Sequence, residues 1–127
     1  MKAFLRLALP VLSVAALLMT PQAYAGVVGD AVRGKTAFAI CAACHSVMAN
    51  KNGVGPSLFG VVGRKAGTAT GYTYSAAMKA AAAWTPQQLD AYLTHPKATI
   101  PGNKMPFNGV SDAQKRADII AYLATLK

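Results

Sequence analysis

Cys41-Ala42-Ala43-Cys44-His45 restricts what this chain can fold into more than any other segment. Residues three apart share one face of a helical turn. Both thiols can therefore reach the two vinyl groups of a single porphyrin, and the adjacent imidazole can offer a nitrogen lone pair to its iron. Cys-x-x-Cys-His is the attachment signal for c-type haem. Cys41 and Cys44 are the only cysteines in the 127 residues, and His45 and His95 the only histidines. A structural zinc site wants four such ligands and finds no second pair. A thioredoxin-like pair belongs beside a βαβ pattern, which is missing. A disulfide closing so short a loop is strained and stabilises little.

The segment ahead of the motif suits an oxidising destination. Lys2 and Arg6 give a positive start, and an apolar stretch runs from Leu7 to Met19. Ala23-Tyr24-Ala25 then forms a small-x-small site before Gly26. That order describes a secretory signal peptide over residues 1–25, cleaved to leave one domain over 26–127 and to place it in the periplasm. The alternative is a retained anchor, for which the apolar stretch is short. Lys2 and Arg6 leave with the leader, so 13 Lys+Arg against 4 Asp+Glu becomes 11 against 4, a formal +7. Such a balance favours an acidic partner, with encounter sped by long-range attraction and slowed by salt. Nucleic acid is excluded as a partner, because the lysines are scattered and export removes the chain from the genome.

The remaining chain, about 102 residues, can bury only a modest core. Much of its apolar content is alanine. Asp30 is placed to cap a helix running through Gly34 and Phe38 towards Cys41. Ser75 can cap a short helix through Met78 that ends before Trp84. Thr85-Pro86-Gln87-Gln88 combines a capping threonine, a proline at the first helical position and a capping-box glutamine. That helix should stop near Thr94, since Pro96 biases His95 away from helical geometry. Ser111-Asp112-Ala113-Gln114 repeats the capping-box pattern before a stripe of Ile119, Ile120, Leu123 and Leu126. No alternating strand pattern occurs, so the expected class is all-α. Residues 46–74 and 97–110 are long, glycine- and proline-bearing and aperiodic. Such stretches are acceptable in a compact domain when they wrap a large rigid object.

The iron of a haem needs a sixth ligand unless it binds gases or peroxide. Met48 lies three residues from His45 and cannot cross to the opposite haem face. Met78 sits in a short helix, where methionine usually fills core. His95 reads as an exposed loop histidine. Met105, in Pro101-Gly102-Asn103-Lys104-Met105-Pro106-Phe107, stands on a rigid irregular loop suited to presenting a thioether. A His45/Met105 pair favours reduced iron and raises its potential.

These residues together resemble the class I cytochromes c, both the mitochondrial form and its soluble bacterial relatives. The resemblance runs from Gly29 to Leu126. Beyond the haem motif it rests on Gly55-Pro56-x-Leu58, Gly63-Arg64, Gly71-Tyr72-x-Tyr74, Trp84, Tyr92, Pro96-Lys97 and Ile100-Pro101-Gly102-x-Lys104-Met105. Phe107 and Arg116-Ala117-Asp118-x-Ile120-Ala121-Tyr122-Leu123 complete it. It implies that Pro56 offers its carbonyl to the imidazole N–H of His45. Arg64, Tyr72, Tyr74 and Trp84 would surround the haem propionates, Tyr92 would lie behind Met105, and Phe107 would cover the haem edge. Gly34 and Phe38 would meet Ile120 and Tyr122 where the terminal helices cross. The chain departs from the mitochondrial pattern in a Phe38–Cys41 interval one residue shorter, and in Met78 near a position held there by asparagine. Met78 would make the distal side drier.

The function implied is that of a monomeric one-electron carrier, not an enzyme, with one haem c attached through Cys41 and Cys44. Its acidic redox partners would dock near Lys97 and Lys104. Lys104 or Lys97, with His95 as a rival, would be the ligand that displaces the thioether at high pH. The competing class is catalysis or sensing at an open iron, which requires Met105 to be labile.

Overall fold

The computed structural model describes residues 27–127; the expected signal peptide and its cleavage site lie outside those residues. Among the described residues there are helices and no strand, in accord with the all-α expectation. In chain order they are α1 (Ala31–Ala37), α2 (Ala39–Ala42), α3 (Ala76–Lys79), α4 (Pro86–Thr94), α5 (Pro96–Thr99) and α6 (Ala113–Leu123). An isolated antiparallel bridge pairs Lys65 with Ala83.

Short polar side chains set where the helices begin. Asp30 accepts the N–H of Arg33 at 2.8 Å, Ser75 that of Met78 at 3.1 Å, and Thr85 that of Gln88 at 3.1 Å. Each such cap is worth about 1 kcal/mol. The last helix differs from expectation by one residue. Asp112, not Ser111, is its cap, accepting from the N–H of Lys115 at 3.1 Å. That shift takes Gln114 out of a capping box. Its Nε2 instead donates to the Val28 carbonyl at 2.8 Å and to Asp118 at 3.0 Å.

Two further boundaries moved. The expected helix from Asp30 towards Cys41 divides at Phe38, where the Cys41 N–H bonds three residues back to the Phe38 carbonyl at 2.8 Å. The second irregular stretch opens with the turn α5. His95 takes the extended φ of −145° that a following proline favours, and Pro96 then supplies the first helical residue.

α1 crosses α6, and the crossing explains Gly34. A Cβ there would run into the Asp118 carbonyl and lie 2.8 Å from the Tyr122 Cβ, so only glycine permits the approach. One turn on, Phe38 and Tyr122 meet edge to face with centroids 5.4 Å apart. Ile119, Ile120 and Leu123 are buried beneath this crossing. Full burial of each such side chain is worth about 1.5–3 kcal/mol. Leu126, the last residue of the expected stripe, lies beyond α6 and is only partly buried. α4 is tied to α6 by Arg116, whose Nε donates to Asp90 at 2.7 Å and whose Nη1 donates to the carbonyls of Val110 and Ser111.

Candidate functional site

The helices and the two irregular stretches enclose a cavity of about 610 Å³. This is the size of a cofactor pocket. Its lining gathers the residues that the sequence singled out from distant places. Cys41, Cys44 and His45 come from the end of α2 and just beyond it. Pro56, Arg64, Tyr72 and Tyr74 come from the first long stretch, Met78 from α3, and Trp84 from the segment after it. Tyr92 comes from α4, and Lys104, Met105 and Phe107 from the second stretch. His95 and Lys97 are exposed and are not part of the lining.

The His45 Nδ1 lies 2.7 Å from the Pro56 carbonyl. A carbonyl oxygen only accepts, so Nδ1 is the donor, and in the neutral ring this leaves Nε2 its lone pair. Gly55 makes this possible. A Cβ there would fall onto the imidazole ring, 2.7 Å from Nδ1, so no larger residue lets the backbone pass so close. Burial pushes the Cys41 thiol above its ordinary value. Among the described residues no three His, Cys, Asp or Glu side chains cluster to hold a metal ion.

Elsewhere in the lining, the Met105 N–H donates to the Asn103 Oδ1 at 2.9 Å. The Tyr92 hydroxyl stands 4.0 Å from the Met105 sulfur and 3.3 Å from the same Asn103 oxygen. Burial, with a smaller contribution from Tyr72, pushes that hydroxyl up to about 12. The rings of Trp84 and Tyr92 pack with centroids 4.9 Å apart.

One polar atom tests whether this lining suits a haem. Arg64 spends Nη1 on the Phe59 carbonyl at 2.9 Å and Nη2 on the Ser57 carbonyl at 3.1 Å. Its Nε is buried with no partner among the described residues. A buried donor left unpaired costs about 1–3 kcal/mol. On the wall of a largely apolar cavity, such an atom suits an anionic substituent of the bound group, as a propionate is. Nearby, the Tyr74 hydroxyl accepts the Ala69 N–H at 3.0 Å and keeps its own proton to give. Tyr72 instead donates to the Val54 carbonyl at 3.1 Å. The two Tyr rings meet edge to face at 4.8 Å. The lining therefore fits a haem.

Lys104 does more than carry charge. Its Nζ donates to the Thr73 carbonyl at 2.6 Å and stands 5.2 Å from the Tyr72 ring centroid, clasping the two irregular stretches together. Sequence reasoning missed this clasp, and it missed Asn103, which lies in an aperiodic stretch with nothing to mark its partners. It also missed the buried Ser57, whose hydroxyl donates to the Met48 carbonyl at 2.6 Å and accepts the Phe59 N–H. Asp118 did leave a signal, an acid inside the apolar stripe of the last helix.

The cytochrome c family model matches residues 31–127. Cytochrome c2 of Rhodopila globiformis is 54% identical over 101 residues, covering 78% of this chain and 95% of its own. Cytochrome c2 of Rhodomicrobium vannielii is 49% identical over 113 residues, covering 87% and 89%. Among solved structures, cytochrome cH from Methylobacterium extorquens superposes with a TM-score of 0.72 at 52% identity, covering 76% of this chain and 99% of that one. With the Cys41–Cys44 spacing, the His45–Pro56 bond and the unpartnered Arg64 donor in one cavity, the chain belongs to the cytochrome c family: it is an electron carrier rather than an enzyme, and it holds haem c covalently through its two cysteines.

Proposed function

We propose that the chain is a monomeric periplasmic one-electron carrier whose haem iron is held between His45 and Met105. The observation that carries this reading is the commitment of the His45 Nδ1–H to the Pro56 carbonyl in a cavity that Met105 also lines. It leaves His45 one nitrogen lone pair to give. Of the two methionines in the lining, we assign the thioether donor to Met105, on the irregular loop, and core filling to Met78 on its short helix. The haem supplies the Fe(II)/Fe(III) couple. The chain's own residues hold and tune it. Pro56 fixes the tautomer of His45 and raises its basicity. Arg64 and Tyr74 offer donors to the propionates, which offsets the cost of burying charge. Phe107 and Met78 keep the lining apolar and exclude water.

The partner proposed is an acidic face of a respiratory or photosynthetic redox protein. All four acidic residues of the chain are engaged internally. Asp30 and Asp112 cap helices, Asp90 pairs with Arg116, and Asp118 pairs with Arg33. With eight lysines against four aspartates over residues 27–127, positive charge dominates the surface. Lys104 at the cavity wall and Lys97 on α5 form the docking rim.

Spectra of the purified protein test the ligation. The ferric protein should show a methionine-to-iron charge-transfer band that is lost in Met105→Ala and kept in His95→Ala. A ferric protein without that band, binding added ligands freely, would favour chemistry at an open iron and overturn the reading. The exported protein should begin at Gly26; an intact leader on it would overturn the assignment of residues 1–25.

A further inference from the structure

Asn103 is the most heavily engaged side chain of the methionine loop. Its Nδ2 donates to the carbonyls of Pro96 at 3.0 Å and Ile100 at 2.9 Å, gripping both ends of α5. Its Oδ1 accepts the Met105 N–H at 2.9 Å and the Tyr92 hydroxyl at 3.3 Å. The partners fix the orientation of the amide. Two carbonyls need the NH2 on one side, and a backbone N–H needs the oxygen on the other. Two donors and two acceptances fill the hydrogen-bonding capacity of a carboxamide.

The Tyr92 hydroxyl has one proton and two acceptors within reach. Asn103 Oδ1 is the nearer at 3.3 Å, while the Met105 sulfur stands at 4.0 Å, the outer limit for a bond to sulfur. An amide oxygen is also a far stronger acceptor than a thioether, which accepts only weakly. Distance and acceptor strength therefore agree that the proton goes to Asn103.

We propose that Asn103 is a positioning residue for the axial thioether: it fixes the backbone of Met105 and withholds the Tyr92 proton from the sulfur. This inference rests on the His45/Met105 ligation proposed above. A hydrogen bond to sulfur would draw electron density from the thioether and weaken its donation to ferric iron more than to ferrous iron. Asn103 thus keeps the potential below that of a thioether bonded to a tyrosine proton.

The test is a cycle of four holoproteins: the parent, Asn103→Ala, Tyr92→Phe and the double variant. Their midpoint potentials and ferric charge-transfer bands are measured together. Asn103→Ala should raise the potential where Tyr92 is present, and should raise it less, or not at all, in the Tyr92→Phe background, where there is no proton to release. Equal shifts in both backgrounds, or no rise in the first, would mean that Asn103 merely braces the loop, and would overturn the proposal. A parent without the methionine band would overturn the ligation itself, an outcome distinct from equal shifts in a parent that has it. Because Asn103→Ala removes four hydrogen bonds and can unfold the loop, the reduced parent provides a second measurement by NMR. The Asn103 amide protons should exchange slowly, and the Tyr92 hydroxyl proton should show a close contact to the Met105 N–H. Fast amide exchange, or a hydroxyl contact only to the Met105 methyl, would overturn the proposal without any variant.

Discussion

Arg33 and Asp118 meet in a two-point ion pair that joins the first helix to the last. Nε donates to Oδ2 at 2.9 Å and Nη2 donates to Oδ1 at 2.9 Å. The carboxylate sits in the buried stripe of α6, between Ala117 and Ile119. It stays charged there because the Asp30 N–H and the Gln114 amide also donate to it. The hydrogen bonds from Arg33 are the largest cause holding this carboxyl well below the usual carboxylate range, against the opposing effect of burial.

Asp118→Asn should therefore lower stability at neutral pH, and the deficit should depend on pH. A depressed folded-state value stabilises the fold in full above the unfolded carboxylate's range, about 3.9. That stabilisation declines as pH falls from there and is gone below the folded value. Denaturant titrations of both proteins should show a gap that is constant near neutrality and closes in acid. A gap that is flat down to the acid transition would mean the carboxylate contributes through shape alone.

Gly34→Ala sets two effects against each other. Alanine gains about 1 kcal/mol in helix propensity over glycine. Its Cβ would meet the Asp118 carbonyl, and overpacking costs about 1–3 kcal/mol, more when the obstacle is backbone that cannot swing aside. Overpacking should win, and the thermal midpoint should fall. An unchanged or higher midpoint would show that α1 and α6 can separate at no cost.

Arg64→Gln removes a half-buried positive charge and its buried, unpartnered Nε from the cavity wall. Ferric iron carries one more positive charge than ferrous iron, so losing a nearby cation favours the oxidised state. The midpoint potential should drop by about 20–60 mV, where about 59 mV is tenfold in a one-electron equilibrium. Redox titration reads this directly. An unchanged potential would mean the guanidinium is not electrostatically coupled to the iron.

Lys97→Gln and Lys104→Gln separate charge from structure. Both should slow electron transfer to an acidic partner several-fold at low ionic strength, with the difference vanishing as salt screens beyond about 10 Å at 0.1 M. Only Lys104→Gln should also lower stability, because it alone gives up the Thr73 carbonyl and the Tyr72 ring. Stopped-flow rates against ionic strength check the first claim and thermal melts the second. Rates indifferent to salt in the parent would remove the cationic rim as the docking face.

The local motifs were legible in the chain alone because short-range chemistry dictates them. Asp30, Ser75 and Thr85 cap the helices they were expected to cap, since an oxygen three residues from an unpaired N–H needs no tertiary help. The spacing of Cys41, Cys44 and His45 is likewise set by one helical turn. Distant partners were not legible. Asp112 displaced Ser111 as the cap, in a register that lets Gln114 reach Val28 and Asp118. Asn103 looks like any loop asparagine until α5 and Tyr92 are brought to it. Hydrogen bonds between groups far apart in sequence depend on how the aperiodic stretches fold over the cavity. No repeat or spacing encodes that path; only the packed chain brings those donors and acceptors within reach.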